Sequence, residues 1–174
     1  FEVSYGNYSY VQAKASLTGA LTKKIAGRIS FSGTNRNGLV KNIRTGKYTN
    51  ELNNTGVRGQ LLYKPFENTS ILLSGDFSGQ DPDGYAQVVA GVVQTKRAAY
   101  RQFNAIIADL NYKLPSQNAF DRLIDHDAPW NSGNQLRGVS LTVDQKIGFG
   151  KLTSTTAWRY WDWDVANDRD YTGI

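Results

Sequence analysis

Apolar and polar residues alternate one by one through long stretches of this chain, the period of a β-strand whose two faces meet different surroundings. Phe1, Val3 and Tyr5 alternate with Glu2 and Ser4, and Val11, Ala13, Ala15, Leu17 and Gly19 alternate with Gln12, Lys14, Ser16 and Thr18. Ile25, Gly27, Ile29, Phe31 and Gly33 do the same against Ala26, Arg28, Ser30, Ser32 and Thr34. The pattern returns in Val57, Gly59, Leu61 and Tyr63, in Ile71, Leu73, Gly75 and Phe77, and in Val139, Leu141 and Val143. In 151–164, Leu152, Trp158 and Tyr160 share one phase, and Thr153, Thr155 and Arg159 the other. These segments predict an all-β chain of about seven strands. Most are longer than the ~5–6 residues of an average globular strand and close to the ~9–11 of a tilted membrane-spanning one.

The connections point the same way. Tight turns are expected at Leu21–Lys24, Lys64–Asn68 and Ile147–Gly150, with long connections at about 35–54 and 79–132 between them. Short and long links therefore alternate, as in an antiparallel up-and-down barrel with short periplasmic turns and longer extracellular loops. The first link, at Gly6-Asn7, is tight although parity assigns it to the outer side. A soluble β-sandwich also alternates. It does not need Lys14, Arg28, Arg58, Asp76, Asp144 and Arg159 on one face with glycines on the other, and structureless connections beyond about 12–15 residues are uncommon in compact domains. Within 79–132, Ala99, Phe103, Ile106 and Leu110 recur at helical steps, predicting a short loop helix that Pro115 and Ser116 would end.

Composition removes whole classes of chemistry. With no cysteine among 174 residues there are no disulfides, thiolate metal sites or Cys nucleophiles, and the single His126 rules out a multi-His metal site within the chain. The absence of Met and the start at Phe1 suggest an excerpt of a longer protein. The longest apolar run, Val88–Val93, is far short of the ~20 residues of a spanning helix. A mean hydropathy of −0.48 does not bear on a barrel, whose membrane face hides in alternation. The net charge of +5 comes without a basic run, so no nucleic-acid partner is expected.

Local motifs favour bland readings. Gly148-Phe149-Gly150-Lys151 is a hairpin turn rather than a phosphate loop, because no first glycine precedes it and no helix follows. Asp125-His126-Asp127 reads as a solvated loop, Asp81 with Asp83 lacks calcium-loop spacing, and one His supports no Ser-His-Asp set. The Asn-x-Ser/Thr tripeptides at Asn7, Asn53 and Asn68 are chance matches. No catalytic, metal or cofactor site is expected, and the chain does not read as an enzyme.

Ligand contact is a different matter. Trp158, Tyr160, Trp161 and Trp163 form the densest aromatic cluster. Trp158 and Tyr160 share the phase of Leu152 and suit an interfacial girdle, whereas Trp161 and Trp163 share the phase of Arg159 and should face a lumen. Segment 35–54 carries Arg36, Lys41, Arg44 and Lys47 against Glu51, and the longer insert carries Tyr85, Arg97, Tyr100, Arg101 and Trp130. Arg44, these five residues, Trp161 and Trp163 are the candidate ligand contacts, being types that grip anionic or planar ligands. Basic loop residues equally suit lipopolysaccharide phosphates.

Read together, several segments resemble the barrel of TonB-dependent outer-membrane receptors. They are Glu2-Val3-Ser4-Tyr5-Gly6-Asn7-Tyr8 leading to Gly19-Ala20-Leu21, then Ala26-Gly27-Arg28, Asn37-Gly38-Leu39-Val40-Lys41-Asn42 with Thr45-Gly46, and Arg58-Gly59-Gln60-Leu61-Leu62-Tyr63-Lys64-Pro65. The most specific are Gly138-Val139-Ser140-Leu141, Leu152-Thr153-Ser154-Thr155-Thr156-Ala157-Trp158-Arg159 and Asp168-Arg169-Asp170-Tyr171-Thr172. The resemblance spans nearly the whole chain apart from the interior of 79–132. It implies that residues 1–174 are a fragment of a larger plugged barrel, with plug and TonB box outside the chain. It further implies a bacterial outer-membrane location, contact with lipid and lipopolysaccharide, coupling to the TonB complex through the plug, and active uptake of a scarce nutrient, typically a ferric siderophore. A passive porin-like barrel and a soluble carbohydrate-binding β-sandwich are the alternatives.

Overall fold

The computed structural model describes every residue except Tyr85 and Pro129. In chain order the elements are β1 (Glu2–Gly6), β2 (Tyr10–Ala20), β3 (Ile25–Arg36), β4 (Val40–Asn42), β5 (Tyr48–Thr49), β6 (Leu52–Phe66), β7 (Thr69–Gln80), α1 (Phe103–Asp109), β8 (Leu123–Ile124), β9 (Asn131–Ile147) and β10 (Gly150–Ala166). They fall into two compact units. The first comprises Phe1–Arg36, Leu52–Asp81 and Gly133–Asp164, and the second Asn37–Glu51, Pro82–Ser132 and Val165–Ile174.

The first unit is one seven-stranded sheet in the order β1-β2-β3-β6-β7-β9-β10, a meander in which each long strand pairs with the next. The pairings from β1 through β9 are antiparallel. Among the described residues β1 and β10 each have one neighbour, so the sheet is open. The alternating segments are all in it. The strands run longer than the alternation marks, up to 17 residues in β9 and β10. Two turns are correspondingly tighter, at Glu67–Asn68 and Gly148–Phe149. Near the first, Pro65, which lacks an N–H for the ladder, lies in the register shift between Tyr63 and Phe66.

Register fixes which residues share a face, because directly paired residues in an antiparallel sheet point the same way. One row runs Ala15–Phe31–Val57–Phe77, the next Leu17–Ile29–Gly59–Gly75–Val139, and the next Gly19–Gly27–Leu61–Leu73–Leu141. The intervening rows hold Ser16–Ser30–Arg58–Asp76 and Thr18–Arg28–Gln60–Ser74–Ser140, with Lys14 and Glu2 paired beyond them. Asp76 also meets the Arg159 guanidinium from β10. The sheet is thus largely apolar on one side and largely polar on the other, with Leu62 and Leu72 paired on the polar side and Arg137 beside Phe77 on the apolar one, and its apolar side is uncovered. Leu17 is 75% exposed and Leu73 49%, and the only apolar side chains buried among the described residues, Val40 and Ile124, belong to the second unit.

The second unit is built around a small sheet, with β4 antiparallel to β5 and parallel to β8. The helix expected around Ala99–Leu110 is present but shorter. Ala99 opens a 3-10 turn and α1 covers only Phe103–Asp109. It ends well before Pro115. Asn111 adopts a left-handed conformation (φ 49°), its N–H donates to the Ala108 carbonyl, and the Tyr112 N–H donates to the Ile107 carbonyl. That pair of bonds is a Schellman stop, which an asparagine can make without a proline.

Candidate functional site

Two clusters, one in each unit, bring chemistry-bearing side chains together. In the second unit β4 and β8 carry Asn42 and Asp125 towards the C-terminal segment. The Arg44 Nε donates to Asp125 Oδ1 at 3.0 Å, and Arg44 Nη2 donates to the Gly173 carbonyl. Tyr112 Oη donates to Asp125 Oδ2 at 2.9 Å and accepts from the Gly173 N–H at 3.2 Å. Both oxygens of the Asp125 carboxylate are therefore held, one by a cation and one by a phenol. Burial, the Gly173 N–H and the Asp125 carboxylate all act on that phenol, and burial, the largest influence, pushes its pKa up. A Cβ at Gly173 would overlap the Arg44 guanidinium and the Asp125 carboxylate, so a larger residue there would push this ion pair aside.

His126 follows directly. It is 3% exposed and stacks on Trp130, with ring centroids 4.5 Å apart and planes inclined by 26°. Tyr171 lies tilted on it at 5.9 Å. Neither His126 nitrogen has a hydrogen-bond partner among the described residues, nor do Trp130 Nε1 and Asp168 Oδ2. Burial holds the imidazole pKa below its ordinary 6.5, although the Asp168, Asp125, Asp170 and Asp127 carboxylates pull the other way. Asp125-His126-Asp127 is therefore not a solvated loop: Asp125 and His126 are buried and only Asp127 is exposed. The hydrophilic tripeptide is drawn inside because Arg44, Tyr112 and the Asn42 amide, which donates to the His126 carbonyl at 2.9 Å, replace its water. Among the described residues no group of three or more His, Asp or Glu side chains is arranged to hold a metal ion.

In the first unit Trp161 and Trp163 stack with centroids 5.8 Å apart and planes within 13°, each about three-fifths exposed. The Trp161 Nε1 donates to Asn134 Oδ1 at 2.7 Å, and Asn134 Nδ2 donates to Gln80 Oε1 at 3.3 Å. A relay of side chains on three adjacent strands thus fixes the orientation of one indole. Trp158 and Tyr160 form a separate stacked pair at 6.2 Å, with Arg137 from the apolar rows lying 4.4 Å from the Tyr160 ring. The two phases expected for the four aromatics are both present.

Of the residues singled out from sequence, Arg44 and Trp130 belong to the buried cluster and Trp161 and Trp163 to the platform. Arg97, Tyr100 and Arg101 lie exposed at and just before the 3-10 turn, outside the contacts described for the buried cluster. Tyr85 lies outside the described residues. Sequence reasoning missed Tyr112, Asp125, His126 and Asp168. Asp168 and Thr172, at 3% and 2% exposed, stand in the Asp168–Thr172 segment quoted above, and Thr172 donates twice to Asp170 Oδ1. No protein-family model, curated protein or solved structure matches this chain.

Proposed function

We propose that the chain is part of the barrel of a TonB-dependent outer-membrane receptor. In this reading the seven-stranded sheet faces lipid on one side and a lumen on the other, and the long connections meet an incoming nutrient. The observation that carries it is the register: five adjacent strands align their large apolar side chains on one exposed side, and align Lys14, Arg28, Arg58 and Asp76 on the reverse. An exposed apolar surface of that extent marks an interaction with membrane or protein. Strands of 11 to 17 residues are long enough to cross a bilayer when tilted. A ferric siderophore is the nutrient we favour, since a stacked indole pair and arginine-bearing loops suit a planar, anionic chelate. The resemblance noted from sequence supports the same choice.

Fractionation and protease accessibility of the full-length protein in cells test this. The protein should partition with the outer membrane and migrate differently in gels before and after heating. Protease added to intact cells should cut within 82–132 and reach Glu67–Asn68 only after permeabilisation. Recovery in the soluble fraction, or cutting at Glu67–Asn68 in intact cells, overturns the membrane reading. A folded membrane protein whose loss leaves growth on every supplied ferric siderophore unchanged overturns the choice of nutrient.

A further inference from the structure

The apolar side of the sheet is not evenly filled. In the row Gly19–Gly27–Leu61–Leu73 the glycines stand on β2 and β3, and in the next row, Leu17–Ile29–Gly59–Gly75, they stand on β6 and β7. Four missing side chains therefore make a trough that crosses the sheet obliquely, walled by Leu17 and Ile29 on one side and by Leu61 and Leu73 on the other. It encloses about 550 Å³, and its lining is overwhelmingly apolar. Nothing lies within 4 Å of where a Cβ would stand at Gly19 or Gly59, while Leu21 lies against that position at Gly27 and Val139 reaches it at Gly75, so side chains of this chain fill the space only in part. The glycines are not there to relieve crowding.

The lower end of the trough opens beside a basic turn. Gly19 is four residues before Lys23, and Gly27 three after Lys24, with both lysines exposed in the Leu21–Lys24 turn. The Lys24 ammonium donates to the Pro65 carbonyl at 2.7 Å and lies 5.9 Å from the Phe66 ring, which fixes its charge at the end of the sheet. Lys64 is bonded to the same turn through its N–H and the Lys24 carbonyl. An oily trough next to a cluster of cations matches one kind of occupant, a lipid with a hydrocarbon tail and an anionic head.

We infer that the trough is a binding site for the acyl chain of an anionic phospholipid whose phosphate is met by Lys23 and Lys24. The inference rests on the membrane reading above, because only a lipid-facing sheet side presents the trough to a bilayer. Parity of the connections puts the basic turn at the periplasmic end, so the lipid belongs to the inner leaflet. Glycines that lower strand propensity by leaving an unpacked surface are then explained by what the surface packs against.

Native mass spectrometry of the full-length protein, extracted in mild detergent and offered phosphatidylglycerol or phosphatidylethanolamine, tests the inference. Wild type should retain phosphatidylglycerol over phosphatidylethanolamine. Gly19→Ile with Gly59→Ile sets branched side chains into the trough at the two positions where a Cβ meets no neighbour, and should cut retention of both lipids by roughly tenfold or more. Lys23→Glu with Lys24→Glu should remove the preference for phosphatidylglycerol while keeping the chain in the trough. Heat-modifiable migration of each variant verifies folding. Undiminished retention in the folded isoleucine variant, or no headgroup preference in wild type, overturns the inference and leaves the membrane reading intact. A protein that never enters the membrane fraction fails at that earlier step instead.

Discussion

His126 keeps both ring nitrogens away from water and without hydrogen-bond partners among the described residues, an arrangement that tolerates the neutral imidazole and penalises the charged one. Its folded pKa lies below the ordinary 6.5, so as pH falls through 6.5 the unfolded chain takes up a proton that the folded one refuses. The stabilisation it contributes is complete above 6.5 and is lost on acidification towards the lowered folded value. Hydrogen exchange within Leu123–Ile124 and Tyr171–Gly173 should therefore quicken as pH drops below 6.5, beyond the change in intrinsic exchange rate, and His126→Leu should flatten that dependence. The neighbouring Asp125 illustrates what sequence could not offer. Its partner Arg44 is 81 residues away, and three polar residues in a row carry no sign that a distant guanidinium and phenol will replace their water. Asp125→Ala would leave Arg44 and Tyr112 without their acceptor and should destabilise the second unit by ~1–3 kcal/mol, measured by local hydrogen exchange.

At the scale of the strand, the sequence was far more legible. Alternation is a local property, and a slip of one residue would turn Leu17, Ile29 and Leu61 to the polar side, so pattern and register specify each other. That is why the phases read from Phe1–Tyr5 to Trp158–Tyr160 agree with the observed rows, and why Trp161 and Trp163 separate from Trp158 and Tyr160. Element ends were less legible. The helix stops on the left-handed Asn111, a one-residue choice that a helical stripe does not encode, and β9 and β10 outrun their alternation. The two faces make a direct prediction in the full-length protein refolded into vesicles. Leu61→Arg should lower the folding free energy by ~2–4 kcal/mol if Leu61 lies near the bilayer midplane. Arg58→Gln, three residues away along β6 and on the polar side, should leave folding in vesicles nearly unchanged. Equal folding of the two variants in vesicles would mean that the apolar rows do not meet lipid.

For the molecule as a whole, the two units follow different rules of construction. The sheet is ordered by a hydrophobic pattern read locally. Among its described residues the second unit has Val40 and Ile124 as its buried hydrophobic core and otherwise relies on Asn42, Asp125, Asp168 and Thr172, whose partners come from three separated segments. This explains why the insert could be recognised as structured but not drawn. It also sharpens the result of deleting residues 85–128 from the full-length protein. The sheet should still form, since closing a shorter loop costs little entropy. Loss of β8, Tyr112 and Asp125 should unravel β4 and release Arg44, so that 37–51 becomes protease-sensitive together with loss of ligand uptake. Intact protection of 37–51 in that deletion would show that the small sheet stands without its β8 strand.

The bond from Arg44 to the Gly173 carbonyl spans 129 residues. Such a contact cannot form until residues 165–174 have been made, and it comes late even then, because distant segments meet only when the intervening chain has found its place. A chain stopped short of Val165 leaves the Arg44 guanidinium without the Gly173 carbonyl and the Tyr112 phenol without the Gly173 N–H. A protease can therefore distinguish, at the residues around Arg44, a chain that carries residues 165–174 from one that stops before them.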